Sequence, residues 1–115
     1  MSNLKNKSKD LEEMEKIPNW EKMVSYNYDF FPKHEFLVRV YRFESDKSTN
    51  RFVSKILNLA EKENHHPLLI AEWHKVTLSW STHDQKSITG LDYKLARKSD
   101  EIYLKINPDE GKNFT

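Results

Sequence analysis

Cysteine is absent from all 115 residues, which removes two chemistries at once, a disulfide framework and a thiolate metal site, and leaves a reducing cytoplasmic compartment as the expectation. Glycine is nearly absent too, with two in the whole chain. That is too few for a Gly-rich phosphate cradle, and no nucleophile elbow is present. Charge of neither sign dominates: 19 Lys and Arg face 18 Asp and Glu, a formal net charge of +1. Such a balance gives no electrostatic footprint for direct nucleic-acid binding and no polybasic membrane signal. No apolar run approaches membrane-spanning length, and the polar stretch from Met1 to Asp10 is unlike the apolar region of a secretory signal. There are no internal repeats.

What is present suits one small domain with a single two-layer core. Residues 1–10, rich in Ser, Asn and Lys, read as a mobile N-terminal tail; 11–107 form the domain; 108–115, with Pro108 and Gly111, read as a frayed end. Leu11, Met14 and Ile17 mark one face of a short helix ended by Pro18, after which Trp20 packs down as an anchor. Tyr26, Tyr28 and Phe30 alternate, as do Phe36, Val38 and Val40, followed by Tyr41 and Phe43. These are two strands, with Phe31-Pro32-Lys33-His34 as their turn and His34 as a solvated loop residue. Arg39 and Arg42 fall on opposite strand faces. Ser45 to Thr49 supplies N-caps for a helix whose Phe52, Val53, Ile56, Leu57, Leu59 and Ala60 are core.

After Pro67, Leu68-Leu69-Ile70 and the alternating Val76, Leu78 and Trp80 predict two more strands around a Glu72-Trp73-His74-Lys75 turn. Thr89 caps a last helix with Ile88, Leu91, Leu95, Ile102 and Ile106 in its stripe. The order of elements predicts an α+β two-layer domain, a four-stranded antiparallel sheet with helices packed on one face.

The chemistry-bearing residues gather between Glu61 and Asp92. His65 and His66 stand at a helix end that Pro67 cannot extend. There the negative end of the helix favours imidazolium and burial favours the neutral ring, so the proton affinity can be tuned either way. Glu61, four residues before His65, shares its face on a helix and is placed either to hold one ring nitrogen or to be a solvated neighbour. Asp92 falls in the first turn after Thr89, where an acid meets free amides whether or not it takes part in chemistry. Adjacent His65 and His66 point apart on any regular element, and neither HxxxH nor HxH occurs, so the spacing is not that of a metal site.

Glu61, His65-His66-Pro67, Trp73 after five intervening residues, His83 after nine more and Asp92 after a further eight resemble the signature of the pterin-4a-carbinolamine dehydratases. The resemblance implies the same α+β architecture, a homodimer or homotetramer, a pterin substrate, and no metal or cofactor. It implies a hydro-lyase that converts 4a-hydroxytetrahydropterin to quinonoid dihydropterin in tetrahydrobiopterin recycling. By the same resemblance His65, His66 and His83 are catalytic, with His65 and His83 passing protons and His66 orienting the substrate. Glu61 and Asp92 would then orient imidazoles. Asn64, Trp73, Ser81, Thr82 and Asp84 would contact the pterin, Trp73 by stacking and the 81–84 backbone by hydrogen bonds. Histidine fits the task, because it gives or takes a proton near neutrality without a large shift in affinity. One family member also serves as a dimerisation cofactor of a homeodomain transcription factor, so a non-catalytic binding module is the alternative. Two departures stand out: Lys86-Ser87 where relatives commonly have glycine, and a longer hairpin around Pro32.

Overall fold

The computed structural model of the chain describes residues 2–25, 34–82, 84 and 87–106. The strand expected at Tyr26 to Phe30, most of its turn, His83 and the C-terminal 107–115 lie outside the described residues. The elements are α1 (Ser2–Glu15), β1 (Glu21–Ser25), β2 (His34–Arg42), α2 (Asp46–Glu63), β3 (Leu68–Glu72), β4 (Lys75–Trp80) and α3 (Gly90–Ile106). From β2 onward, strand, helix, strand, strand, helix is the order the periodicities predict, and a helix stands in front as expected, whereas β1 is not the strand expected at Tyr26 to Phe30. The strands form one antiparallel sheet in the order β1-β2-β4-β3. Among the described residues no helix is long and apolar enough to cross a membrane.

Period-2 alternation divides the sheet into two unlike faces. Leu37 and Tyr41 of β2 are buried with Val76, Leu78 and Trp80 of β4, on the side where α2 and α3 pack. Register pairs Leu37 with Trp80 and Tyr41 with Val76, which fixes that set as one layer. The opposite face carries Met23, Val40, Leu68 and Ile70, all exposed. β3 and β4 are joined at Trp73-His74, where His74 adopts φ 54°, a left-handed conformation uncommon for a residue with a side chain.

Ser45 begins α2 by accepting the Ser48 amide on its hydroxyl at 3.1 Å. Thr49, Phe52, Ile56 and Ala60 turn to the sheet. Leu57, expected in the core, is 51% exposed. One residue beyond Ile56 is a rotation of about 100° on a 3.6-residue helix, which carries Leu57 off the buried stripe. Phe52 joins Tyr41 (centroids 4.6 Å apart) and Phe43 (5.3 Å) in an aromatic centre that also holds Tyr103.

At the N-terminus α1 extends back to Ser2, well ahead of the Leu11 to Ile17 stripe, and stops at Glu15 before Pro18. Trp20 is buried as expected, but the strand that follows it, Glu21–Ser25, lies upstream of the Tyr26 to Phe30 alternation. The Trp20 ring donates through Nε1 to Asp100 (3.0 Å), which also accepts Arg39 Nη1 (2.6 Å) and the Tyr41 hydroxyl (2.5 Å). Arg39 therefore points inward and lies 4.3 Å over the Tyr41 ring, while Arg42 is exposed on the other face.

Arg97 of α3 binds Glu13 of α1, and Lys16 adds a second contact at 3.2 Å. Partial burial pushes the Glu13 carboxyl up, but the hydrogen bonds and charges of Lys16 and Arg97 outweigh it and hold the group below its ordinary range. A depressed folded value contributes stability that is complete above the unfolded value, about 4.3, and lost as pH falls through the folded one. Glu13→Gln is accordingly expected to flatten the acid limb of the stability curve and to leave pH 7 to 9 unchanged in slope. Thermal unfolding from about pH 3 to 9 measures this, and an identical acid limb would contradict it.

Candidate functional site

The site begins where α2 ends. Asn64 adopts φ 49° and ψ 44°, its amide donates to Glu61 O (3.2 Å), and the next amide, of His65, donates to Ala60 O (3.0 Å). This crossed pair of bonds around a left-handed residue closes the helix, and asparagine tolerates that conformation better than most side chains. The reversal takes His65 off the Glu61 face, which corrects the expected Glu61–His65 pairing. Glu61 Oε2 instead lies 3.6 Å from His66 Nε2, with both side chains largely exposed. A surface pair of this kind contributes little.

His65 turns inward. Its ring stacks against Trp80 with centroids 6.0 Å apart and planes 17° from parallel, and its Nε2 lies 2.7 Å from Asp92 Oδ1. Trp80 is itself fixed, because its Nε1 donates to Ser99 Oγ at 3.1 Å and Ser99 donates to Leu95 O at 2.7 Å. Trp80 has a place beside the imidazole that its strand alternation gave no reason to expect. The signal available was its position, immediately before Ser81-Thr82.

Asp92 has no exposed surface. Its Oδ2 accepts the Thr89 amide (2.9 Å) and the Thr82 hydroxyl (2.8 Å), and Thr89 O accepts the Asp92 amide (3.0 Å). The carboxylate reaching back to the Thr89 amide is one half of a capping box; the Asp92 amide is met by the Thr89 carbonyl rather than by its hydroxyl. Helix capping and imidazole orientation are thus performed by two oxygens of one carboxylate. Thr82 is committed in the same way: its hydroxyl serves Asp92 and its amide donates to Ser87 O at 3.0 Å. The expectation that the 81–84 backbone binds a ligand loses that donor, because the amide already closes the turn.

Asn64, His65, His66, Thr82 and Asp84 surround an open hollow of about 210 Å³, with Asp92 behind its inner wall. The structure thus brings most of the expected residues together. Ser81 faces the other side of the sheet, where its Oγ lies 3.1 Å from His34 Nε2. His34 is not a solvated loop residue: it is the first residue of β2 and only 3% exposed. The Phe36-Val38-Val40 alternation, extended back by one step, reaches it. Trp73 is not part of the cluster. It is 79% exposed at the β3–β4 turn, stacked on His74 at 4.0 Å, while Leu68 and Ser79 mark the hairpin end nearer the hollow. The pterin-stacking role expected of Trp73 has no support in this arrangement, because the length of the hairpin intervenes.

Residues 4–102 match the sequence profile of the family described as pterin 4 alpha carbinolamine dehydratase. A protein of Microcystis aeruginosa named "Putative pterin-4-alpha-carbinolamine dehydratase" is 37% identical over 92 residues, covering 80% of this chain and 74% of the relative. Another of the same name, from Marinobacter nauticus, is 33% identical over 87 residues, covering 76% and 73%. Among solved structures, one described as a transcriptional coactivator/pterin dehydratase from Brucella melitensis superposes with a TM-score of 0.71 at 27% identity, covering 84% of this chain and 94% of that one. A pterin dehydratase-like protein described as a RuBisCO assembly factor in the alpha-carboxysome shares the fold, with a TM-score of 0.60 at 15% identity over 74% of this chain and 89% of that one. With the profile matching from the first helix nearly to the end of the last, the chain belongs to the pterin-4a-carbinolamine dehydratase family.

Proposed function

We propose that this protein dehydrates 4a-hydroxytetrahydropterin to quinonoid dihydropterin by passing protons through imidazoles, as a step of tetrahydropterin recycling. The family and the names of its relatives support the dehydratase activity; the division of labour is argued from the site. In the reaction the carbon to oxygen bond breaks, the hydroxyl leaves as water after gaining a proton, and the neighbouring ring nitrogen loses its proton as the carbon to nitrogen double bond forms. No net proton is consumed, so one acid and one base suffice.

The observation that carries this reading is the 2.7 Å contact between His65 Nε2 and the buried carboxylate of Asp92. A carboxylate only accepts, so the shared proton sits on Nε2 and the neutral ring keeps its lone pair on Nδ1. His65 is then the base. His83, which stands in the chain between Thr82 and Asp84, is the acid, and His66 orients the ring system. In a dehydration assay with enzymatically generated substrate, His65→Ala and His83→Ala are each expected to lower kcat by about 10²-fold or more, with circular dichroism unchanged. Full turnover in both variants would overturn the assignment.

The Brucella relative's description as a coactivator and the exposed Leu68, Ile70 and Val40 of the open sheet face favour one second reading. In it the fold acts as a homodimeric or homotetrameric binding module without turnover. Absence of any dehydration by wild-type protein, together with self-association in sedimentation, would favour that module.

A further inference from the structure

Arg39 and Arg42 leave opposite faces of β2, yet both line one recess of about 260 Å³, together with Asn19, Val40 and Tyr103. They meet because the sheet is incomplete there. β1 pairs with β2 only as far as Glu21 opposite Val38, whereas β4 continues to Lys75 opposite Arg42. From Arg39 onward the outer edge of β2 has no neighbouring strand, and side chains from both faces reach around it. The Phe43 amide donates to His74 O, on the β4 side, at 2.9 Å. Backbone groups of successive strand residues point to alternate edges, so those of Val40 and Arg42 turn toward the uncovered one. The Arg42 carbonyl accepts the Tyr103 hydroxyl there at 2.8 Å, and the Val40 amide stands as a donor at the recess.

We propose that this recess is a binding site for the phosphoryl group of a small phosphate monoester. No acid lines it. Arg39 is held in place, 4.3 Å over the Tyr41 ring and 5.3 Å from that of Tyr103, and gives Nη1 to Asp100. That bond uses one of five guanidinium N–H donors, and Asp100 divides its charge among Trp20, Arg39 and Tyr41. Arg42 is exposed, and among the described residues no acid pairs with it. Two guanidiniums against one shared carboxylate leave a local positive excess. Donors approach from three directions: Arg39 from the helix side, Arg42 from the opposite face, and the Val40 amide with the Asn19 carboxamide along the edge. A tetrahedral phosphoryl group has an oxygen for each direction, whereas a planar carboxylate matches one fork. At roughly 30 Å³ or less for each, the recess holds on the order of ten non-hydrogen atoms, a phosphoryl group and a short polar body. His34 and Arg42 are at opposite ends of β2, so the site lies away from the hollow beside His65 and is independent of the dehydratase reading.

The test titrates the full chain with glycerol 3-phosphate, inorganic phosphate, glycerol and succinate at fixed ionic strength, following backbone amides by NMR. Saturable shifts at Asn19, Val40 and Arg42 are expected with the ester, weaker binding with inorganic phosphate, and none with glycerol. Succinate, a dianion whose charge sits on planar carboxylates, is expected to bind more weakly than the ester, which separates geometry from charge. Arg42→Gln is expected to weaken the ester about tenfold or more, and Arg42→Lys, which keeps the charge and loses the fork, to fall between. Arg51→Gln removes an exposed guanidinium from α2 and is expected to bind like wild type. Val40→Glu sets a carboxylate beside the site and is expected to abolish binding; Val40 and Arg42 are both exposed, so the test stands on two positions outside the core. Any one of four results would overturn the site: no saturable binding, shifts confined to the surroundings of His65, equal weakening in Arg42→Gln and Arg51→Gln, or no gain of the ester over inorganic phosphate or succinate.

Discussion

Asp92→Asn is expected to lower kcat for dehydration by about 10³-fold while KM changes only a few-fold, the pattern of a lost base rather than lost binding. A carboxamide has one accepting oxygen where the carboxylate had two. The Thr89 amide and the Thr82 hydroxyl hold one side at 2.9 and 2.8 Å and keep the oxygen there. The amide nitrogen then faces His65 Nε2 and donates to it, which moves the ring proton to Nδ1 and removes the lone pair meant for the substrate. Asp92→Ala is expected to be worse for the fold than for the chemistry alone. It strips the acceptor from a helix cap, a hydroxyl and an imidazole in a site with no solvent exposure, a loss of about 3 kcal/mol and roughly 10–15 °C in Tm. Single-turnover rates and calorimetry separate the two variants. A fully active Asp92→Asn would sink the role given to His65.

The second large effect lies at the other acid of α3 that meets buried donors. Asp100→Ala is expected to destabilise the protein by about 3–5 kcal/mol, because it leaves a partly buried guanidinium uncompensated. Trp20 and Tyr41 lose their acceptor in the same step. Folded protein that remains should turn over at the wild-type rate, since Asp100 touches none of the residues beside the hollow. Burial, and then the Asp100 charge, push the Tyr41 phenol well above its ordinary value. A raised folded value means that this stability is complete below about pH 10, the unfolded value, and is lost only as pH rises through the folded one. Denaturant unfolding at pH 7 and alkaline titration of the wild type measure both statements. A loss of activity parallel to that of Asp92→Asn would contradict the separation of the two acids.

The fold was largely legible because its signals are local. Alternation marked β2 and β4, the Phe52-Ile56-Ala60 stripe marked α2, and Thr89 with Asp92 marked the start of α3. β1 escaped because Glu21–Ser25 is a mostly exposed edge strand with weak alternation. Leu57 was misplaced because its neighbours set a dense apolar pattern that the helix turns partly to solvent. The site was legible in its membership more than in its pairing. Glu61 looked like the partner of His65 by helical spacing, and one left-handed residue, Asn64, cancelled that spacing. His34 looked like part of a turn because Pro32 stands two residues before it, yet it opens β2 as a buried residue.

The sequence by itself determined the order of elements from β2 onward, the binary pattern that makes one sheet face core, and the collection of His65, His66 and Asp92 near helix ends. Each depends on residues close along the chain, where period and capping chemistry act. Only the tertiary structure decided that Asp92 meets His65 across 27 positions, that Trp80 backs that ring, and that Ser81 looks away from it toward His34. Those contacts depend on how α3 docks against β4 and on which way an extended residue points, and no repeat in the sequence records either.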